Sequence, residues 1–231
     1  MKLIVFDIDG TVVDSVKADD ECFIKTFSDL HQIDLGNANW NDFNNVTDSG
    51  LTDEIFQKHK NRKPTEAEVA TIKSHFKDLL FSRKREFSEI PYAVSFIETI
   101  AQNPEFVIAF ATGGWQATAR LKCAAAGFEL SEYLHKTSDD HYNRGEIIRL
   151  AIKSAFEIHH VKQFESVIYF GDGLWDFKTC KELDIDMIGV DFHHNRKLKD
   201  AGLEKIIRDY SDYDQIIQWI EGLNIGMKDV I

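Results

Sequence analysis

The sequence predicts a three-layer α/β fold: a Rossmann-like, mostly parallel sheet with helices on both faces, and a helical segment inserted near the start. Three observations predict it. Short apolar runs alternate with amphipathic stretches of helix length, the pattern of βαβ units. Each run ends at a polar turn, several of them glycine-containing, and open parallel sheets bind ligands at such ends. The alternation breaks once, over residues 14–89, where only helical periodicity is found.

The elements follow in order. Residues 3–6 read as a strand buried on both faces, running into Asp7-Ile8-Asp9-Gly10-Thr11. Residues two apart in an extended chain point the same way, so Asp7 and Asp9 share a side while Ile8 turns to the core. Gly10 lets the backbone leave the strand sharply. Two carboxylates this close repel unless a cation or a shared proton relieves them. Residues 106–111 form the next strand and end at Thr112-Gly113-Gly114. Residues 167–170 form a third, ending at Gly171-Asp172-Gly173, and 187–190 a fourth, ending at Asp191. A weaker strand is placed at 206–208. Helices are predicted at 93–102, at 116–126 with Gly127 as carboxyl cap, at 146–157 and at 177–183. The inserted segment carries helical patterns at 18–30, 51–58 and 65–85, and Pro91 marks the return to the sheet. The expected organisation is a core of residues 1–13 and 91–231 with a helical cap of residues 14–90. Hinged at both ends, the cap would sit over the open end of the sheet and exclude water.

Composition narrows the function. The 231 residues are 43% hydrophobic and 29% charged, ordinary for a globular enzyme. The net charge of −12 argues against non-specific nucleic-acid binding. No apolar run is long enough to span a bilayer, and Asp7 interrupts the apolar amino end too soon for an export signal. Cys22, Cys123 and Cys180 are scattered, with no CxxC pair, as expected of reduced thiols in a cytoplasmic protein. An anionic substrate would meet an unfavourable long-range field, so a bound metal and a few placed cations are expected.

The motifs resemble those of the haloacid dehalogenase-like hydrolase superfamily. Asp7-Ile8-Asp9-Gly10-Thr11 looks like its first signature, Phe110-Ala111-Thr112-Gly113 its second, and Gly171-Asp172-Gly173-Leu174-Trp175-Asp176 its fourth. The resemblance covers nearly the whole chain, with the insertion similar to the family's helical cap. It implies a Mg²⁺-dependent phosphatase acting on a small phosphomonoester, of phosphoglycolate phosphatase layout. Asp7 would be the nucleophile and Asp9 the general acid and base. Mg²⁺ would bind Asp7, the Asp9 carbonyl and Asp172, with Asp176 in reach through water or as a support. Thr112 would bond a phosphate oxygen, and the N–H groups of Gly113 and Gly114 suit an anion. For the family's cation, usually Lys, Arg144 is chosen, with Lys153 and Lys136 as rivals; Arg is a departure.

Other features keep plainer readings. Asp14-Ser15 either orients the cap or starts a helix. Trp115 and Trp175 are assigned to core packing rather than to substrate. His193-His194 reads as a solvated turn, and Arg83-Lys84-Arg85 as a solvated helix face. Substrate recognition is placed near Asp48-Ser49-Gly50-Leu51-Thr52. The runner-up function is a sugar phosphomutase of the β-phosphoglucomutase type. Those enzymes carry a His twelve residues after the nucleophile, where this chain has Asp19. A phosphate-sensing module without turnover is the third reading. Oligomeric state is not legible.

Overall fold

The computed structural model describes residues 1–36 and 38–222. Six strands form one parallel sheet: β1 (Lys2–Phe6), β4 (Phe106–Ala111), β5 (Leu134–Lys136), β6 (Val167–Gly171), β7 (Asp186–Val190) and β8 (Ile206–Ile207). Their order across the sheet is β5-β4-β1-β6-β7-β8. The chain builds outward from β1 to β4 and β5, then crosses back to β6. The order therefore reverses at β1, and the crevice beyond its carboxyl end is where such sheets hold ligands.

Alternation along β1 divides the core. Leu3 and Val5 face α6 (Arg144–His159) and α7 (Leu174–Leu183), joined by Leu198 of α8 (Lys197–Asp200). Ile4 and Phe6 face α4 (Ala93–Ala101), α5 (Gln116–Ala125) and α9 (Tyr213–Gly222). The Phe6 ring stacks on Phe170 at 4.7 Å, fixing the two central strands side by side just before the loops that carry Asp7 and Asp172. No helix among the described residues is long and apolar enough to cross a membrane.

The insertion is helical as expected: α1 (Val16–His31), α2 (Asp48–Lys60) and α3 (Glu66–Ser82). Helix α3 opens on a capping box, Thr65 with Glu68. The ends of the insertion meet in a two-stranded antiparallel ribbon, β2 (Val13–Asp14) with β3 (Ser88–Glu89). Its apolar faces continue the core on the α4 and α5 side: Phe23 packs against Phe76 at 5.4 Å and Trp115 at 6.3 Å. Helix α6 starts two residues earlier than its periodicity suggests, because Asn143 caps it through the Glu146 N–H. The short edge strand β5, α8 and α9 add to the elements expected.

Candidate active site

The loop after β1 places the two leading carboxylates as expected from the alternation. Ile8 is fully buried in the core, while Asp7 and Asp9 line a cavity of about 350 Å³ between the sheet end and the insertion. Thr11, Val12 and Val13 all donate N–H bonds to the Ile8 carbonyl, winding the chain into a tight turn. Gly10 sits in that turn at φ +71°, and a Cβ there would collide with the Asp172 carboxylate. Glycine is thus required both by the dihedral and by the approach of β6's loop.

Carboxylate oxygens of Asp7, Asp172 and Asp176 all lie within 4.8 Å of one another. Asp7 is buried, and its Oδ1 has no hydrogen-bond partner among the described residues. Burial, reinforced by Asp176 and Asp9, pushes the Asp7 carboxyl up to about 7 although Arg144 pulls it down. Burial followed by Asp176 and Asp7 pushes Asp172 well above the usual carboxylate range. An all-oxygen set of crowded carboxylates with an orphaned oxygen fits a hard divalent cation. Asp176 is already committed, accepting from Arg144 Nη1 at 2.8 Å and from the Gly173 N–H at 3.0 Å.

Arg144 occupies the first turn of α6, the end of a helix where a cation is disfavoured. Its partners offset this. Nη1 donates to Asp7 Oδ2 at 3.2 Å and to Asp176 Oδ1, and Nη2 donates to the Val46 carbonyl at 3.2 Å. The Tyr169 hydroxyl, anchored on the Ala111 carbonyl at 3.0 Å, closes the same cluster. Burial opposes the guanidinium charge, but Asp176 and Asp7 outweigh it and hold Arg144 firmly protonated. The rivals lie elsewhere: Lys153 is exposed on α6, and Lys136 pairs with Asp140 at 3.4 Å.

Thr112 is buried at the end of β4 and lines the cavity with Gly113 and Gly114. These glycines precede α5, which begins at Gln116, so they lie outside its first turn. The Gly114 N–H donates to Thr112 Oγ1 at 3.3 Å. Gly113 leaves room for Arg144: a Cβ there would strike Nη2.

One functional candidate was not legible in the sequence. Lys122 of α5 is 0% exposed and donates to Asp9 Oδ2 at 2.7 Å and to Asp19 Oδ1 at 2.6 Å. Burial works against its charge, but Asp19, Asp9 and Asp48 prevail and push it up. The other oxygen of Asp9 accepts from Ser15 Oγ at 2.5 Å. A signal did exist. Thr118, Ala119, Lys122 and Cys123 share the buried face of α5, so the helical period alone places Lys122 inward.

Asp48 and Ser49, the start of the stretch expected to read substrate, and Thr47 before them dock on the core. The Asp48 N–H donates to the Gly113 carbonyl at 2.8 Å, and its carboxylate accepts from the Trp115 N–H at 2.8 Å. Thr47 donates to the Tyr142 carbonyl at 2.6 Å, and Ser49 exchanges two bonds with Ser138. Trp115 is core, as expected, and its indole N–H also donates to Ser49 Oγ. His193 stands at the cavity rim, paired with Asp14 at 2.8 Å, and Arg83 pairs with Glu21 and Glu86.

A sheet whose central strands present these three motifs to one cavity defines a hydrolase of the haloacid dehalogenase-like type. The haloacid dehalogenase-like hydrolase pattern matches residues 1–184, and the chain belongs to that family. No curated protein sequence matches it. Its fold is similar to that of a hydrolase from Pseudomonas syringae, at 19% identity over 95% of this chain and 99% of that one, with a TM-score of 0.75. CbbY from Rhodobacter sphaeroides, solved in complex with phosphate, aligns at 18% identity over 91% of this chain and 95% of its own, with a TM-score of 0.69. A phosphonoacetaldehyde hydrolase-like protein from Oleispira antarctica aligns at 15% identity over 97% and 95%, also with a TM-score of 0.69.

Proposed function

We propose that the protein is a Mg²⁺-dependent phosphatase that hydrolyses a small phosphomonoester through an aspartyl-phosphate on Asp7, with helices α1–α3 acting as its cap. The observation that carries this reading is Asp7 itself: buried in the cavity wall, held through one oxygen by Arg144, and left with an unpartnered Oδ1. Asp7 attacks phosphorus as the bond to the leaving oxygen breaks, and Asp9 delivers a proton to that oxygen. Water then attacks the aspartyl-phosphate, Asp9 takes its proton, and inorganic phosphate and free Asp7 are restored. Both oxygens of Asp9 accept bonds at rest, the state that suits the second step. For the first, the Ser15 hydroxyl can turn to the Val13 carbonyl, 3.2 Å away, and free Oδ1 to carry the proton. Arg144 supplies a permanent, planar charge to the transferring phosphoryl group, and the Thr112 hydroxyl a further donor.

Asp7, Asp172 and the Asp9 carbonyl would hold the divalent ion, with Asp176 steadying Asp172's loop and Arg144. When bound, the ion screens the repulsion between the phosphate dianion and the Asp7 carboxylate. Small-molecule phosphate chemistry and a cytoplasmic setting agree with the acidic composition, and no nucleic-acid role is proposed. A mutant form of CbbY was also solved with xylulose-(1,5)bisphosphate. A mutase needs to hold such a second phosphate, yet the described cap residues lining this cavity include no Lys, Arg or His. That favours water as the acceptor.

The direct test is phosphate release from an aryl phosphate and a panel of metabolite phosphates, with Mg²⁺ and with excess chelator. Release that requires the metal is expected; equal release in chelator, or none on any ester, counts against the reading. A second expectation concerns stability. A carboxyl raised to about 7 by folding binds its proton more tightly folded than unfolded. Its share of stability is present below about pH 4 and is lost as the pH rises through about 7. Mg²⁺ should therefore raise the Tm by several degrees at pH 8 and by much less at pH 5, in melts with and without the ion. An equal shift at both pH values would show that the ion binds elsewhere.

A further inference from the structure

Both ends of the cavity are acidic, but the phosphate end carries a lining cation and the described residues of the opposite wall include none. At the phosphate end stand Arg144, Thr112 and the carboxylates that fit a metal ion, among them Asp7 with its unpartnered Oδ1. The opposite wall is the cap side of the cavity and comes from α1, the residues before α2 and its first residue: Asp19, Asp20, Asn39, Trp40, Asn41 and Asp48. No described residue of that wall is a cation. Asp19 is bound by Lys122 and Asp48 by the Trp115 N–H, which leaves Asp20 as the carboxylate available to a ligand. Asp20 Oδ1 accepts from Trp40 Nε1 at 2.9 Å, which fixes the carboxylate beside the indole, and its other oxygen has no bond to a described residue. Burial raises Asp20 to about 6, with the Trp40 bond pulling it back.

A phosphomonoester placed on Asp7 extends its alcohol portion toward this wall. A carboxylate or second phosphate on that portion would meet Asp20 and two asparagines, with no cation from the wall to replace its lost hydration. Three further side chains lining the cavity carry or can take a positive charge, and one of them, Lys197, lies near enough to Asp20 to pull its carboxyl down. Arg144 is committed to the phosphate end, His193 is paired with Asp14, and Lys197 is exposed to solvent at the rim. Hydroxyl or amino groups on the alcohol, by contrast, would donate to Asp20 and to the asparagine carbonyls, and their carbon skeleton would lie along Trp40.

We infer that the substrate is the phosphomonoester of a hydroxyl- or amino-bearing alcohol with no second anionic group, and that Asp20 is the residue that selects it. This rests on the hydrolase reading for the placement of the phosphate, and the test separates the two. The values of kcat/KM of the Mg²⁺-loaded enzyme are measured for glycerol phosphate, phosphoethanolamine, phosphoglycolate and a pentulose bisphosphate. The affinity of Asp7→Asn for the same four, in Mg²⁺, is measured by calorimetry. In both series the first two compounds should lead the last two by tenfold or more, and Asp20→Asn should shrink that gap to less than about threefold. Ranked affinities without turnover of any ester would support this inference while removing the hydrolase reading. Equal or better handling of phosphoglycolate or the bisphosphate, a gap unchanged in Asp20→Asn, or no binding of any of the four would overturn it. A gain in the discrimination against phosphoglycolate in Lys197→Ala would also overturn it, by assigning an anion subsite to the rim.

Discussion

Replacing Asp7 with Asn is expected to lower phosphate release by on the order of 10⁴-fold or more while the chain keeps its fold. The loss follows from removing the nucleophile: the amide has neither the charge nor the free oxygen pair to form the aspartyl-phosphate. The fold should survive because the buried charge of Asp7 is a burden rather than a support. Burial drives that carboxyl up to about 7, and Asp176 and Asp9 repel it. Arg144 keeps its shorter bond, to Asp176 at 2.8 Å, so the guanidinium is not stranded. Melts of the metal-free variant should give a Tm equal to or above that of the parent. A variant with parental turnover would remove Asp7 as nucleophile; one that fails to fold would show that the Arg144–Asp7 contact stabilises the site more than this charge balance allows.

Lys122→Met should have the largest effect on stability. The side chains are of similar length, so the change deletes charge more than volume. It leaves Asp9 and Asp19 close together in a partly buried site without the ammonium that now bonds both. Breaking a buried pair by removing one partner costs about 3–5 kcal/mol. For a chain of this size that corresponds to a Tm lower by about 10 °C. Turnover should fall as well, since Asp9 loses the bond that orients one of its oxygens. Adding Asp19→Asn to Lys122→Met should restore part of the lost stability, because it removes one of the unmatched charges. Lys122→Arg should keep more stability than Met but lose turnover, as a wider guanidinium cannot fit between the same two oxygens. Full additivity of the Met and Asn changes would contradict the coupling.

What the sequence made legible shares one property: the meaning of each feature is local. The apolar run of β1 followed by two acids at i and i+2 states both a buried strand and a charged end. The strands ending at Thr112 and at Gly171 repeat that grammar, and Arg144 was found from its place at a helix start. The parts not read depend on distant partners. Lys122 acquires its role from Asp19, 103 positions earlier, and from Asp9, 113 positions earlier. Strand β5 has only three residues, each half-buried, and is defined by its pairing with Ala109, Phe110 and Ala111 rather than by its own pattern. Asp48 and Ser49 look like a polar helix start suited to substrate, and only the apposition of Gly113, Trp115 and Ser138 shows that they also bind the core. Asp20 is an acid on a predicted helix, and its place on a cap face whose own described lining residues include no cation is a property of the assembled cavity.

On the proposed mechanism Asp7 carries the phosphoryl group and passes it to water. The measurement that tests it most directly is rapid quench of the Mg²⁺-loaded enzyme during turnover of a phosphate ester, followed by peptide mass mapping. An acyl-phosphate is expected on the peptide holding Asp7, absent in Asp7→Asn, that discharges to inorganic phosphate with no added acceptor. A phosphoryl group on another residue, or one on Asp7 that persists until a hexose phosphate is added, would contradict it.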